Sequence, residues 1–215
     1  MKSYDENYGR DINFNSQFVH PKIGSDSRIE CHSMALYFNP TKYRVRNKGL
    51  FSQDIERNKS GPNDATKRLA ESMYDFMNDR FPSFREADFI VSVPNHMSNH
   101  HPGSGGVGIA KELHSIFQKN SLSVEIKEIL EKNFSQKLRF MYGRDSREHF
   151  FESNRTFSVK KPVGISENRI RSSSVLLVDD VMTLGLTTQK CIELLLGIGF
   201  KKIFLFVAAK DYFRH

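Results

Sequence analysis

Two adjacent carboxylates in this chain occupy a position where they could hold a sugar or a metal ion. Asp179 and Asp180 directly follow the aliphatic run 175–178. Carboxylate oxygens only accept hydrogen bonds, so they suit the vicinal hydroxyls of a ribose. They are also the hard oxygen ligands that Mg²⁺ prefers. We therefore expect the pair to bind ribose hydroxyls, Mg²⁺, or both.

The segment after the two acids has the composition of a phosphate-binding turn. Gly185 lets the backbone approach an anion closely, and the hydroxyls of Thr183 and Thr187 can donate hydrogen bonds to it. Because the segment opens a predicted helix, its free backbone N–H groups and the helix dipole favour a phosphate. The predicted phosphate-binding residues are Val181, Met182, Thr183, Leu184, Gly185, Leu186 and Thr187.

The elements that must position these residues alternate between strands and helices. The pattern predicts strands over 88–93, 121–129, 174–178 and 202–209, with a further short strand at 34–38. It predicts amphipathic helices from Asp64, which can cap its helix, to about Asp79, through 109–117, and over 185–199. In the first of them, Leu69, Met73, Phe76 and Met77 form one apolar face. Continuous apolar strands between helices predict an α/β fold with a doubly wound, mostly parallel sheet and helices on both faces. Ligands of such sheets bind at the carboxyl ends of the strands.

Length and composition predict one domain with an appendage. The chain has 215 residues, of which 38% are hydrophobic and 27% charged, as in a soluble protein. Residues 1–30 are polar and lack apolar periodicity, which predicts a loosely held arm before a domain over 31–215. The two cysteines, Cys31 and Cys191, give no disulfide framework and fit a reducing compartment. Since no apolar run approaches the ~20 residues of a membrane span, we expect a cytoplasmic protein.

The charge of the chain favours anionic partners. The formal net charge is +7, and the segment 131–161 contains eight basic and four acidic side chains. A polyphosphate metabolite and a nucleic acid both remain open as partners. Because the basic residues are scattered, we expect any nucleic-acid binding to be weak and salt-dependent. The sequence leaves the oligomeric state open, a homo-oligomer included.

The thirteen residues from Val175 to Thr187 resemble the phosphoribosyl pyrophosphate signature of type I phosphoribosyltransferases. The resemblance implies that Asp179 and Asp180 act on the ribose hydroxyls as catalytic residues, and that the following turn binds the 5′-phosphate. It also implies transfer of phosphoribose to a nitrogen nucleophile, with Mg²⁺ as cofactor and pyrophosphate as leaving group. Leu184 departs from the pattern, because the family usually has Thr or Ser there, and a hydroxyl contact to the phosphate is missing.

Outside the signature, the chain is most similar to the ComF-type phosphoribosyltransferase-like proteins associated with bacterial competence. The segment 92–96 resembles that family's strand and pyrophosphate loop, which implies pyrophosphate contacts by Asn95, His96 and Met97. A flexible catalytic loop is implied within the basic segment, where the candidates are Lys137, Arg139, Arg144 and Arg147. The zinc ribbon common at the N-terminus of that family has no counterpart in this sequence.

Two other interpretations remain open. The same pocket could serve a non-catalytic phosphoribosyl or nucleotide-binding regulator, or an accessory protein of DNA uptake. The G-x-G-x-x-G stretch 103–108 is typical of a dinucleotide site and would suit an NAD-binding oxidoreductase. However, nine residues separate this stretch from the preceding strand, whereas the glycines of a dinucleotide fold follow their strand almost at once. The stretch is therefore better interpreted as a glycine-rich helix entry near pyrophosphate.

Three histidines precede the glycine-rich stretch. His96, His100 and His101 could together ligate a metal. No Cys, Asp or Glu joins them between residues 91 and 110. This composition favours loop histidines that contact phosphate at most, so we assign them no metal.

Overall fold

Five parallel strands form the central sheet of the protein. The computed structural model describes residues 23, 25–37, 50–94, 104–133, 157–160, 164–183 and 185–211. The strands in chain order are β1 (Ile29–Tyr37), β2 (Phe89–Ser92), β3 (Glu125–Ile126), β4 (Leu130–Lys132), β5 (Phe157–Val159), β6 (Ser174–Met182) and β7 (Lys202–Asp211). The sheet has the order β1-β7-β6-β2-β3, and all four of its pairings are parallel. Strands β4 and β5 pair separately and antiparallel.

Helices cover both faces of this sheet. They are α1 (Leu50–Asn58), α2 (Asp64–Arg80), α3 (Gly105–Lys119), α4 (Glu167–Ser172) and α5 (Leu186–Gly197). Alternate side chains of β6 face the two helical layers in turn. Leu176 and Val178 share a core with α1, α2 and α3, whereas Val175 and Leu177 pack with α4 and α5. The doubly wound α/β fold predicted from the sequence is confirmed. No helix in the described part of the chain is both long and apolar enough to cross a membrane.

Helix α2 shows the predicted apolar face, but not the predicted cap. Leu69, Met73, Phe76 and Met77 are all buried, as their helical spacing requires. The prediction that Asp64 caps this helix is wrong, because Asn63 is the N-cap. Its side-chain oxygen accepts hydrogen bonds from the N–H groups of residues 65 and 66 at 2.9 and 3.2 Å. The side chain of Thr66 accepts from the Asn63 N–H in return, which completes a capping box.

Helix α1, which the sequence analysis did not predict, is fixed to α2 by a buried ion pair. The side chain of Asp54 is completely buried, and that of Arg68 is 31% exposed. The Arg68 guanidinium donates two hydrogen bonds to the carboxylate, from Nε at 2.8 Å and from Nη2 at 2.7 Å. This bidentate geometry is the strong form of such a pair.

The strands have different lengths from those predicted. The strand predicted over 121–129 pairs with β2 only at Glu125–Ile126. At its predicted start, Ser121 takes a left-handed conformation (φ 60°) that turns the chain after α3. The predicted short strand near the N-terminus is longer, since it lies parallel to β7 from Ile29 to Tyr37. Strand β7 in turn continues beyond the predicted end at Ala209, to Asp211.

Candidate functional site

The chain changes its winding direction between β2 and β6. Strand β6 leads through α5 to β7 on one side, whereas β2 leads through α3 to β3 on the other. The two strands are neighbours, and Ser92 pairs with Val178. Their carboxyl ends therefore open at one point of the sheet edge, which is where open α/β sheets bind ligands. We take this switch point as the candidate functional site.

Asp179 and Asp180 lie at the switch point, inside the last part of β6. The sequence prediction that this strand ends at Val178 is wrong, because β7 is long enough to pair with it as far as Met182. On the β2 side the pairing stops earlier, with a hydrogen bond from the N–H of Val93 to Val178 O. Both acids are half-buried. The difference in strand length places them beside the gap that opens beyond β2.

Each acid uses one oxygen to fix its own conformation. Asp179 Oδ1 accepts a hydrogen bond from the Asp180 N–H at 2.9 Å. Asp180 Oδ1 accepts from the Val181 N–H at 2.8 Å. A carboxylate can accept about four hydrogen bonds, so each side chain retains acceptor capacity for a sugar hydroxyl or a cation.

The surroundings of the acid pair disfavour the ionisation of both carboxylates at once. Burial raises the pKa of Asp179 well above its usual range, and the negative charge of Asp180 raises it further. The positive charge of Lys59 opposes this shift. A bound cation would relieve the repulsion between the carboxylates.

The donor set fits Mg²⁺. This ion keeps several waters and is usually held by one or two carboxylates together with substrate phosphates. In the described residues, no three His, Cys, Asp or Glu side chains converge on one point. The pair would therefore hold Mg²⁺ together with oxygen atoms of water and a phosphorylated ligand.

We expect Asp179→Asn to raise the melting temperature of the Mg²⁺-free protein at neutral pH. Because the folded-state pKa of Asp179 lies above the unfolded value, its contribution to stability is complete below the unfolded pKa and is lost as pH rises through the folded pKa. Asn avoids this loss, and its side-chain oxygen can still accept from the Asp180 N–H. For a domain of this size, each kcal/mol corresponds to roughly 2–4 °C.

Thermal melts followed by circular dichroism in EDTA, from acidic to neutral pH, measure this effect. The advantage of the variant should disappear at acidic pH, where Asp179 is protonated in the wild type as well. A variant that melts below the wild type at neutral pH would contradict the prediction.

The turn after β6 leads into a helix whose cap has no side chain. Gly185 is the N-cap of α5 in the left-handed conformation (φ 76°), and the predicted helix start is therefore one residue early. Its carbonyl accepts hydrogen bonds from Thr188 Oγ1 at 2.9 Å and from the Gln189 N–H at 2.8 Å. With glycine as the cap, the first N–H groups of α5 receive no hydrogen bond from a capping side chain. Such groups favour an anion.

The structure divides the predicted phosphate-binding residues into two groups. Val181 and Met182 belong to β6, and the Met182 side chain is buried in the core on the α5 face. Thr183 is exposed in the turn, and Leu186 and Thr187 are half-buried in the first turn of α5. Several predicted residues lie outside the part of the chain that the structure describes: Leu184, Asn95, His96, Met97, Lys137, Arg139, Arg144 and Arg147.

The first turn of α3, which contains part of the glycine-rich stretch, lies directly against Asp179. A Cβ atom added to Gly106 would lie 3.0 Å from Val178 O, 3.1 Å from Asp179 Cα and 3.4 Å from Asp179 Oδ1. This close packing explains the glycine at position 106 without a dinucleotide. In the sequence, this close packing is indicated by the consecutive glycines at the start of a predicted helix. A second helix N-terminus therefore lies at the switch point.

We expect Gly106→Ala to destabilise the protein by roughly 1–3 kcal/mol, the range for overpacking. The two shortest contacts of the new methyl group are to backbone atoms, which cannot move aside alone. Gly197 is the matched control, because a Cβ there meets nothing within 4 Å. Gly197→Ala should leave stability unchanged or raise it by up to ~1 kcal/mol. Urea unfolding measures both, and equal effects of the two substitutions would contradict the packing argument.

Fold and site together define a class of protein. The chain is an open, doubly wound α/β protein with an acid pair and two helix N-termini at its topological switch point. Proteins of this architecture bind ligands at that crevice, and its donors suit a phosphorylated sugar.

Comparison with known proteins finds distant structural likenesses. No protein-family model and no curated protein matches the chain. A purine phosphoribosyltransferase from Pyrococcus horikoshii has 16% identity over 70% of this chain and 83% of its own, with a TM-score of 0.40. A hypoxanthine phosphoribosyltransferase from Staphylococcus aureus has 12% identity over 81% of each chain, with a TM-score of 0.40.

A third similar structure is much longer than this chain. It is the allosteric regulatory enzyme of purine biosynthesis, with 15% identity and a TM-score of 0.38. The likeness covers 66% of this chain but only 25% of that enzyme.

Proposed function

We propose that this protein binds phosphoribosyl pyrophosphate with Mg²⁺ at the switch point and transfers phosphoribose to a nitrogen nucleophile, releasing pyrophosphate. The observation that carries the proposal is the placement of Asp179 and Asp180 directly before the Gly185 turn. A ribose 5-phosphate presents hydroxyls and a phosphate on one small ring. An acid pair and a helix N-terminus separated by a short turn match both groups at once.

Each part of the site receives one part of the ligand in this proposal. Asp179 and Asp180 accept hydrogen bonds from the ribose hydroxyls, and the turn from Thr183 to Thr187 binds the 5′-phosphate. Val181 and Met182, which belong to β6, lead the chain into this turn. The pyrophosphate is assigned to Asn95, His96 and Met97, which follow β2, and the loop candidates are Lys137, Arg139, Arg144 and Arg147.

The work of the protein in this reaction is positioning and charge stabilisation. The acids and the turn fix the sugar at both ends, which orients its reacting carbon toward the nucleophile. The negative charge of the acid pair lies near the ring, where positive charge develops in an oxocarbenium-like transition state. Bound Mg²⁺ supplies neutralisation of charge on the leaving pyrophosphate.

The broader assignment follows the sequence resemblance. We place the chain nearest the ComF-type proteins on segment 92–96. We also propose a cytoplasmic protein with an arm at 1–30 before the domain at 31–215. Nucleic-acid binding, if present, is weak, and a homo-oligomer is compatible with the site.

The second candidate function is a non-catalytic phosphoribosyl or nucleotide-binding regulator, which Leu184 favours because it lacks the usual hydroxyl.

Phosphoribosyl pyrophosphate with Mg²⁺ should raise the melting temperature, whereas NAD should not. A ligand at 100 times its dissociation constant adds about 2.7 kcal/mol to stability. Thermal melts with each ligand, with and without Mg²⁺, measure this. Stabilisation by NAD alone would favour the oxidoreductase and contradict the proposal. Pyrophosphate release with a panel of nitrogen bases then distinguishes the transferase from the regulator.

A further inference from the structure

A buried hydroxyl lies at the start of the inward face of α5. The buried residues of this helix have the spacing of one helical face and are Thr188, Cys191, Ile192 and Leu195. The last three belong to the apolar core on the α5 face of the sheet. Thr188 is only 1% exposed, although a hydroxyl loses its hydrogen bonds to water when it is buried. Its position therefore requires a hydrogen-bond partner inside the protein.

This hydroxyl contacts the turn that we assign to the 5′-phosphate. Thr188 Oγ1 donates a hydrogen bond to the carbonyl oxygen of Gly185 at 2.9 Å. The same oxygen accepts from the Gln189 N–H at 2.8 Å, which is the ordinary first hydrogen bond of a helix. Two donors of α5 therefore fix the direction of one carbonyl group. A valine would fill the same space without making the first of these hydrogen bonds.

The direction of this carbonyl determines what the turn presents to a ligand. A trans peptide unit is planar, so the N–H of Leu186 points opposite to the carbonyl of Gly185. Because that carbonyl is held toward the helix, the Leu186 N–H points away from it, to where an anion binds at a helix N-terminus. Gly185 has φ 76°, but glycine adopts negative φ about as readily. The Thr188 hydroxyl supplies a restraint that the glycine lacks.

We propose that Thr188 is a positioning residue of the phosphate site, whose hydroxyl holds the Gly185–Leu186 peptide unit with its N–H directed at the 5′-phosphate of the ligand. This inference deepens the proposed function and rests on it. Thr188 is buried and acts through the turn, outside the residues 181–187 that the sequence assigned to the phosphate. A turn already held in its binding conformation loses less conformational freedom when the ligand binds, which favours affinity.

The test compares Thr188→Val with Thr66→Val by titration calorimetry. Valine keeps the shape of threonine and removes the hydroxyl. Thr66 is the matched control, because it is also buried and is also the third residue of its helix. Its hydroxyl donates to Asn58 Oδ1 at 2.9 Å, and α2 packs on the opposite face of the sheet from α5. The probes are ribose 5-phosphate, and phosphoribosyl pyrophosphate with Mg²⁺.

The two valine variants should differ in affinity rather than in stability. Both lose a buried hydrogen bond, so both should melt below the wild type. Only Thr188→Val should bind ribose 5-phosphate more weakly, by about two- to tenfold, which is the range for one hydrogen bond. Thr188→Ala, which also lacks the hydroxyl, should lose a similar factor. Thr188→Ser keeps a hydroxyl and should restore most of the affinity.

The outcomes separate this inference from the proposed function. Wild-type affinity of Thr188→Val for ribose 5-phosphate overturns the role of Thr188 and leaves the proposed function standing. A loss that Thr66→Val shares, or that Thr188→Ser does not restore, also overturns that role. A wild type that binds ribose 5-phosphate but not phosphoribosyl pyrophosphate overturns the proposed function, while the variants still decide the role of Thr188. Binding of neither probe overturns both.

Discussion

Replacing Asp179 and Asp180 together with Asn should weaken the binding of phosphoribosyl pyrophosphate at least tenfold. Asn has nearly the same side-chain volume as Asp. Its side-chain oxygen can still accept hydrogen bonds from the N–H groups of residues 180 and 181, so the backbone should keep its path. The negative charge that would hold the ribose hydroxyls and Mg²⁺ is lost. Hydrogen bonds to charged groups are worth roughly 1.5–3 kcal/mol each, and every ~1.4 kcal/mol is a factor of ten in affinity.

Titration calorimetry in Mg²⁺ measures this loss, after circular dichroism shows that the variant is folded. Ribose 5-phosphate, which lacks the pyrophosphate, should lose affinity in the same way. Gly185→Val should weaken binding by another route, since Gly185 has a positive φ that a β-branched residue strongly disfavours. Unchanged affinity in both folded variants would mean that the segment is only a strand and a turn, and the proposed function would be wrong.

Arg68→Met should lower the free energy of unfolding by about 3 kcal/mol. Removing one partner of a buried ion pair typically costs ~3–5 kcal/mol, because the remaining charge stays buried. Asp54 is completely buried, but Arg68 is 31% exposed and partly screened by water, so we expect the lower end of that range. Methionine keeps most of the apolar stem of arginine, so a loss of stability can be attributed to the missing guanidinium charge.

Lys67→Met is the matched control on the same helix. The Lys67 side chain is 61% exposed, and its Nζ lies 4.0 Å from Glu71, so this surface pair should contribute less than about 0.5 kcal/mol. Urea unfolding of both variants gives the comparison. Equal stability of the two would show that the Asp54–Arg68 pair does not hold α1 on α2.

The elements that the sequence predicted well have strong local signals. Strands β2, β6 and β7 contain continuous apolar runs, and α2, α3 and α5 repeat apolar residues at helical spacing. These patterns predict an element because its own residues must be buried. The predicted boundaries were less accurate, since the end of β6 depends on how far β7 continues beside it.

The elements that the sequence analysis missed owe their structure to distant partners. Helix α1 buries Asp54 and Asn58 beside Phe51 and Ile55, so half of its buried face is polar and its sequence shows no continuous apolar stripe. Strands β4 and β5 are three residues each, too short for a periodic pattern, and they are paired across the segment that separates them. Strand β3 was predicted, but it is shorter than the predicted range because it pairs only where β2 offers an edge.

The residues of the candidate site lie close together in the chain, so the sequence alone predicts them. The acid pair, Thr183, Gly185 and Thr187 lie within a few residues of one another, so their types and order predict a sugar and phosphate site without a fold. Tertiary structure alone decided what surrounds them. The switch point requires the strand order, and the contact of Gly106 with Asp179 requires α3 to pack on β6. Burial and charge at such contacts depend on residues far apart in the chain, which meet only when the sheet has formed.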